Sequence, residues 1–428
     1  MGSSSKNVCI VVLGDIGRSP RMQYHSLSLA EHGHKVDMVG YGDTDPHNSV
    51  KAQPLLSYHY LVPYPSIPFP RFLNYFLKTV WQAVTLFFVL LIIRKPDVIL
   101  IQNPPAIPSL LVCWLYSIIV RAKLIIDWHN YAYTIMALSV GPKSILVKIT
   151  KLVERFVGQR AASSFCVTNA LKNDLQANWG ICATTLYDRA PDIFQPISLE
   201  DRHDILMKLG RQYRELSSID NGTAFTKVDE AGNVTLKSKR PALLISSTSW
   251  TEDEDFSILL QALQEYEDTI ETGNVNKLPS LICVITGKGP LKDYYCKKIA
   301  LCDWRHVIVI TPWLESVDYP KLLACADLGV CLHTSSSGYD LPMKVVDMFG
   351  CGVPVCAYDF KCLNELVQDG VNGFTFKNSE ELSKQLQDWF KSFPEENDRQ
   401  DKFKIALGVF QKLRWKENWD KVALEFFN

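Results

Sequence analysis

The thirteen residues Ser335-Ser-Ser-Gly-Tyr-Asp-Leu-Pro-Met-Lys-Val-Val-Asp347 hold the densest set of groups suited to a phosphorylated ligand. Ser336, Ser337 and Gly338 are small enough for backbone N–H groups to approach a diphosphate closely. Pro342 then opens a helix on which Lys344 and Asp347, three apart, share a face. A cation for phosphate beside a carboxylate for ribose hydroxyls is what a nucleoside diphosphate requires. The plain alternative is an ion pair, Asp340 to Lys344 or Lys344 to Asp347, worth roughly 0.2–0.5 kcal/mol. The adjoining glycine loop favours the ligand.

Other candidates sit where strand-like runs end, the place where open α/β sheets bind ligands. Ser247 and Thr248 offer hydroxyls and amides to phosphate, as do Gly287 and Lys288 in Thr286-Gly-Lys-Gly-Pro290. Asp253-Glu-Asp255 has the look of a metal-binding Asp-x-Asp. Acidic residues also suit a first helical turn, and Thr251-x-x-Glu254 reads as a capping box, so capping is favoured over metal. Near the start, Gly14, Gly17, Arg18 and Arg21 form a glycine turn with two cations before a helix capped at Ser19, an arrangement suited to an anion. Asp127-Trp-His-Asn130 ends another run. A displacement that inverts a sugar carbon needs a base for the attacking hydroxyl, and His129 and Asp15 are the candidates.

Two series of short β-rich runs, each alternating with helical patterns, must position these residues. The first is Asn7 to Gly14, Lys35 to Gly42, Asp97 to Asn103, Lys123 to Asn130, Ser163 to Asn169 and Ala183 to Tyr187. The second is Ala242 to Thr248, Ser280 to Gly287, Val307 to Thr311, Leu328 to His333, Pro354 to Ala357 and Gly373 to Phe376. Two doubly wound α/β domains facing a central cleft are expected, over residues 1–198 and 241–400. A polar linker or insertion at 199–240 separates them, and a helix at 401–428 braces both.

With 428 residues the chain exceeds what one core holds, and 47% hydrophobic against 21% charged residues is globular. A net charge of -1 gives no electrostatic case for nucleic acid. Twelve cysteines without a Cys-x-x-Cys pair argue against structural zinc and for a reducing compartment. Only seven mostly polar residues precede the first run, too few for a signal peptide. Val80 to Ile93 is the longest apolar segment, too short for a confident span. With Arg71, Lys78, Arg94 and Lys95 around it, it suits a membrane interface, or else a helix packed on a sheet.

Pro342-Met-Lys-Val-Val-Asp-Met-Phe-Gly-Cys-Gly-Val-Pro-Val355 resembles the donor helix of GT-B glycosyltransferases. Gly14 to His25, Gln102-Asn-Pro-Pro105, Ile126 to Tyr131, Ser246 to Ser257 and Cys331 to Ser337 extend the likeness over nearly the whole chain. Together they resemble the beta-mannosyltransferases that act on chitobiosyl diphosphodolichol. The resemblance implies transfer of mannose from GDP-mannose, with inversion, to dolichol-linked chitobiose on the cytosolic face of the endoplasmic reticulum membrane, the first mannosylation of the lipid-linked oligosaccharide for N-glycosylation. Lys344 and Asp347 match its donor positions, and other mannosyltransferases of the pathway are candidate partners. No obligatory metal or cofactor is expected. Many relatives carry an N-terminal anchor, which makes Val80 to Ile93 the candidate for membrane attachment here. Acidic residues stand where the wider pattern has a paired Arg and Lys, so Lys288, Lys344, Arg18 or Arg21 must neutralise phosphate. A retaining transferase on another lipid acceptor and a non-catalytic subunit are the rivals. A dinucleotide oxidoreductase is disfavoured by the missing Gly-x-Gly-x-x-Gly.

Overall fold

The computed structural model describes residues 5–65, 68, 70–220, 222–273, 278–395 and 398–428. The chain divides into two compact units, 1–188 with 415–428, and 189–414.

In the first unit seven parallel strands lie in the order β3-β2-β1-β4-β5-β6-β7. They are β1 (Asn7–Asp15), β2 (Lys35–Tyr41), β3 (Leu56–Tyr60), β4 (Val98–Asn103), β5 (Lys123–Trp128), β6 (Ser163–Cys166) and β7 (Thr184–Thr185). Val8, Ile10 and Val12 of β1 are almost fully buried, as a central parallel strand covered on both faces must be. Trp415, Trp419 and Phe427, from the end of the chain, complete this core. The order reverses between β1 and β4, so the carboxyl edge at β1, β4 and β5 is the expected ligand position.

In the second unit a helix, Leu199–Gly210, precedes an antiparallel hairpin, β8 (Thr226–Val228) and β9 (Val234–Leu236). Six parallel strands follow in the order β12-β11-β10-β13-β14-β15. These are β10 (Ala242–Ser247), β11 (Leu281–Thr286), β12 (Val307–Ile310), β13 (Leu328–Cys331), β14 (Val355–Tyr358) and β15 (Gly373–Phe376). Here the switch lies between β10 and β13.

All twelve expected runs are strands, ending between three residues earlier and one residue later than their patterns suggested, and a thirteenth parallel strand, β3, was not expected. The division of the chain differs. It falls after Asp188, not at 198, and 199–240 is no linker: Ile205, Leu206, Leu209, Leu216 and Phe225 are buried in the core with Leu243 and Ile245 of β10. Ile205, Leu206 and Leu209 share one face of the helix Leu199–Gly210, a short periodic run that the polar composition of the whole stretch outweighed. Asn221, in that stretch, lies outside the described residues. The expected closing helix is two pieces, Asp398–Gln411 in the second unit and Trp415–Val422 in the first.

The apolar segment also differs from expectation. Its helix starts at Arg71 and runs to Ile92, so by length and composition Phe72–Ile92 is long enough to cross a membrane. Only 11% of its most apolar window is buried, which removes the reading of a helix packed on a sheet. Leu86 and Leu90 face the protein, whereas Phe72, Phe76, Val84 and Phe88 are exposed. Arg94 anchors its end through two bonds to Asp37, of 2.8 and 3.1 Å. The side chain of Arg71 lies outside the described residues.

Candidate active site

Asp127, the last residue but one of β5, has its carboxylate removed from solvent, a position that requires nearby positive charge and donors. Arg21, on the helix Pro20–Glu31 after β1, supplies a bidentate pair, Nε to Oδ2 at 2.8 Å and Nη2 to Oδ1 at 2.9 Å. Its Nη1 holds Asp188 at 2.7 Å. His25, one turn along that helix, places Nε2 at 3.2 Å from the same Oδ2, and Trp419 donates its indole N–H to His25 Nδ1 at 2.9 Å. His25 therefore carries its proton on Nε2. Burial lowers the pKa of His25 and keeps it neutral. Burial alone would raise the Asp127 pKa, but Arg21, His129 and the histidine hydrogen bonds hold it well below the usual carboxylate range.

His129 is the exposed member of this cluster, its side chain 23% accessible, with Nε2 at 2.8 Å from Asp127 Oδ2. An ionised carboxylate there places the proton on Nε2 and leaves Nδ1 as the basic nitrogen. The following loop is held from below by Glu154, whose buried carboxylate accepts the amides of Ala132 and Tyr133 and the side chain of Asn103. Burial drives the Glu154 pKa up, to about 7, against these hydrogen bonds.

Three sequence candidates in this unit have other tasks. Asp15 is no free base: it accepts the amides of Gly17 and Thr44 and the Thr44 hydroxyl, which fixes the turn after β1. The Gly17 amide is used by that bond, and a Cβ on Gly17 would lie 2.4 Å from the Thr44 carbonyl oxygen. Arg21 is buried in ion pairs and cannot serve as a phosphate ligand. Arg18 stays exposed beside Asp15, and a Cβ on Gly14 would meet only Val12, at 3.7 Å. Ser19 stands at the helix N-cap, yet its hydroxyl donates to the Asp15 carbonyl.

At the carboxyl edge of the second sheet another buried carboxylate, Glu254, organises the loops. It takes the Thr248 hydroxyl and the Ser249 amide on Oε2, and the Lys344 ammonium on Oε1. Lys344 is thus paired with Glu254, and neither Asp340 nor Asp347 is the partner the spacing suggested. Thr248 spends its hydroxyl inward, and Ser247 accepts from Tyr319 at 2.9 Å. Asp347 is half-buried, and its charge adds to burial in raising the Tyr319 pKa. The helix cap is Asp255, which accepts the Ser257 amide at 2.9 Å, so the cap lies four residues beyond Thr251. Asp253 turns the other way, to His333.

Loop 248–250 and the turn after β11 approach so closely that side chains are excluded. A Cβ on Gly287 would fall 1.8 Å from the Thr248 carbonyl, and one on Gly289 1.6 Å from that of Ser249. Lys288, between them, is exposed and stands 3.8 Å from the Trp313 ring centroid. In the serine loop the Gly338 amide donates to Ser335 Oγ at 2.8 Å, and Ser337 accepts from Tyr339. The expected amide of Gly338 therefore closes the loop on itself, with φ at +78°. Ser336 is half-exposed in the same loop.

His333 bridges two carboxylates, Asp253 and Asp340, each at 3.2 Å. Burial would lower its pKa, but both hydrogen bonds and the Asp340 charge raise it to about 9. Sequence reading passed over His333, His25, Asp188 and Glu154. The last two carried no local signal. His333 lies two residues beyond β13, as His129 follows β5, and that position could have marked it.

Family models match both halves of the chain: "Glycosyltransferase Family 4" over residues 22–187 and "Glycosyl transferases group 1" over 228–404. The chain is 48% identical to human chitobiosyldiphosphodolichol beta-mannosyltransferase over 99% of its length and 93% of the relative's. It is 42% identical to the Arabidopsis thaliana UDP-glycosyltransferase TURAN, over 97% and 96%. Among solved structures, Anabaena Alr3699/HepE in complex with UDP-glucose shares the fold at TM-score 0.66, with 16% identity and 99% of both chains covered.

Replacing Asp127 with Asn leaves Arg21 buried against Asp188 alone. Urea titration is expected to show a loss of about 3–5 kcal/mol in the unfolding of the first unit. The His333 bridge makes stability pH-dependent. Its raised folded pKa means the contribution is complete below about pH 6.5 and is lost as pH rises through about 9. Melting curves of the unaltered chain and of His333→Asn are accordingly furthest apart below pH 6.5 and converge above pH 9.

Proposed function

The chain belongs to the chitobiosyldiphosphodolichol beta-mannosyltransferase family, and on that premise we propose that it takes mannose from GDP-mannose and transfers it with inversion to chitobiosyl diphosphodolichol, giving a beta-1,4 linkage. The observation that carries this reading beyond family membership is the Asp127–His129 pair at the carboxyl edge of the first sheet. His129 Nδ1 takes the proton of the acceptor hydroxyl as that oxygen attacks the sugar carbon, and GDP leaves from the opposite side. Asp127 holds the imidazole in the tautomer that exposes Nδ1 and stabilises the imidazolium once formed.

The donor is read onto the second unit. No side chain caps the helix Met343–Gly350, so the Met343 and Lys344 amides are read as available to a diphosphate, together with the Lys344 side chain and the exposed Lys288. An incoming phosphate would compete with Glu254 for the Lys344 ammonium. Asp347, three residues along the same helix, is assigned to ribose. The leaving diphosphate is neutralised by these groups without an obligatory metal. We place the chain on the cytosolic face of the endoplasmic reticulum membrane; the exposed apolar helix Arg71–Ile92 supports the membrane part of that reading.

One relative is named as a UDP-glycosyltransferase, so the nucleotide is the part of the reading to challenge first. Purified chain given chitobiosyl diphospholipid is expected to form product with GDP-mannose and none with UDP-glucose, and that product to be cleaved by a β-mannosidase. A UDP-sugar preference or an α-linked product would overturn the proposal. His129→Ala is expected to lower kcat by about 10²–10⁴-fold with little change in KM for GDP-mannose.

A further inference from the structure

The helix Arg71–Ile92 borders two cavities of about 580 Å³ each, both within the first unit. Asn74, Lys78 and Gln82, spaced four apart, line one of them together with Tyr41 and Asp43. Phe72, Phe76 and Thr79 line the other. Helical periodicity puts the two sets on different sides of the helix, and Tyr75 reaches both cavities.

The two differ in chemistry. Around the second cavity stand Pro104 to Ile107, just beyond β4, and Ile135, Met136 and Ile149 from the helices after β5. Apolar side chains continue outward from its rim, with Leu138 70% and Ile145 65% exposed. In the first cavity Tyr64 Oη and Asn74 Oδ1 are shielded from solvent and have no hydrogen-bond partner among the described residues. Buried polar atoms are rarely left so, and a polar ligand would satisfy them.

Both cavities adjoin the chemistry. Asp43 of the polar one precedes Thr44, whose amide and hydroxyl hold Asp15 at the end of β1. Ala132 of the apolar one follows His129 by three residues. Charge is segregated as well. Residues 46–153 hold ten Lys or Arg against two carboxylates, Asp97 and Asp127, in a chain of net charge -1. Lys78, Lys143, Lys148 and Lys151 are all exposed. Apolar surface edged with cations suits a lipid whose head group is anionic, and Asp43 in the polar cavity suits the hydroxyls of its sugar.

We propose that the two cavities are one acceptor site, with the sugar diphosphate head in the polar cavity, its diphosphate toward Lys78, and the first isoprene units in the apolar cavity beyond Tyr75. This rests on the lipid-linked acceptor of the reading above and adds where each part of that acceptor sits. A bilayer seated on the same face is the competing occupant of the apolar cavity.

The full chain is assayed in detergent with GDP-mannose and chitobiosyl diphosphate carried on either a long isoprenoid or a single isoprene unit. The double substitution Phe76→Ser with Ile135→Ser is expected to raise KM for the long-tailed acceptor about tenfold relative to the short-tailed one. Both positions are at least 40% exposed, so the fold tolerates them, and Leu146→Ser, also at 40%, is a milder variant expected to move the ratio the same way. Lys78→Ala is expected to raise both KM values several-fold together. Equal changes for the two tails, or none, overturn the site, as does a defect confined to flotation with anionic phospholipid vesicles. If the unaltered chain makes no product from either acceptor, the proposed function itself fails and this site with it.

Discussion

Asp127 is a carboxylate that water cannot reach, and much of the first unit is arranged around keeping it ionised. Its charge demands Arg21, which ties the helix after β1 to the end of β5. Arg21 in turn engages Asp188, the last residue of the unit's first segment, while His25 engages Trp419 from the end of the chain. Four sequence-distant pieces are thus joined through Arg21 and His25. His129 is the part of this network with access to solvent, and its proton position follows from the carboxylate beside it. A buried pair of this kind is weak as a source of stability and strong as a device for fixing geometry.

The second unit solves a similar problem differently. Glu254 is as buried as Asp127, but its partners are a lysine, a threonine hydroxyl and a backbone amide from loops at the carboxyl edge of the sheet. These loops lie so close that Gly287 and Gly289 have no room for a Cβ. Lys344 is therefore held in place by a buried carboxylate. His333, set between Asp253 and Asp340, adds a second cation to the same edge.

The long helix Arg71–Ile92 has a different status. Its charge-poor, aromatic-rich surface is not required by the core, since only a few of its residues, such as Leu86 and Leu90, pack inward. A monomeric protein gains nothing from exposing Phe72, Phe76 and Phe88 together, and such patches mark surfaces that meet something apolar.

The sequence alone determined the architecture. Buried parallel strands read as continuous apolar runs, and most of the twelve expected ones were legible because the two-sided burial of a parallel sheet asks for that pattern; Thr184–Thr185 is only half-buried. It also marked the ends of β1, β5, β10, β11 and β13 as chemical positions, since turn glycines and polar clusters interrupt the apolar runs there. What it left open were the pairings. Lys344 with Asp347 at three residues and Lys344 with Glu254 at ninety are equally compatible with a helix pattern, and only tertiary packing brought the second pair together. Arg21 looked like a phosphate ligand and Asp15 like a base because local spacing shows which groups are present, not which are already satisfied. Burial removes water as a competing partner, so a charged group inside takes the nearest opposite charge in space, wherever that lies in the chain.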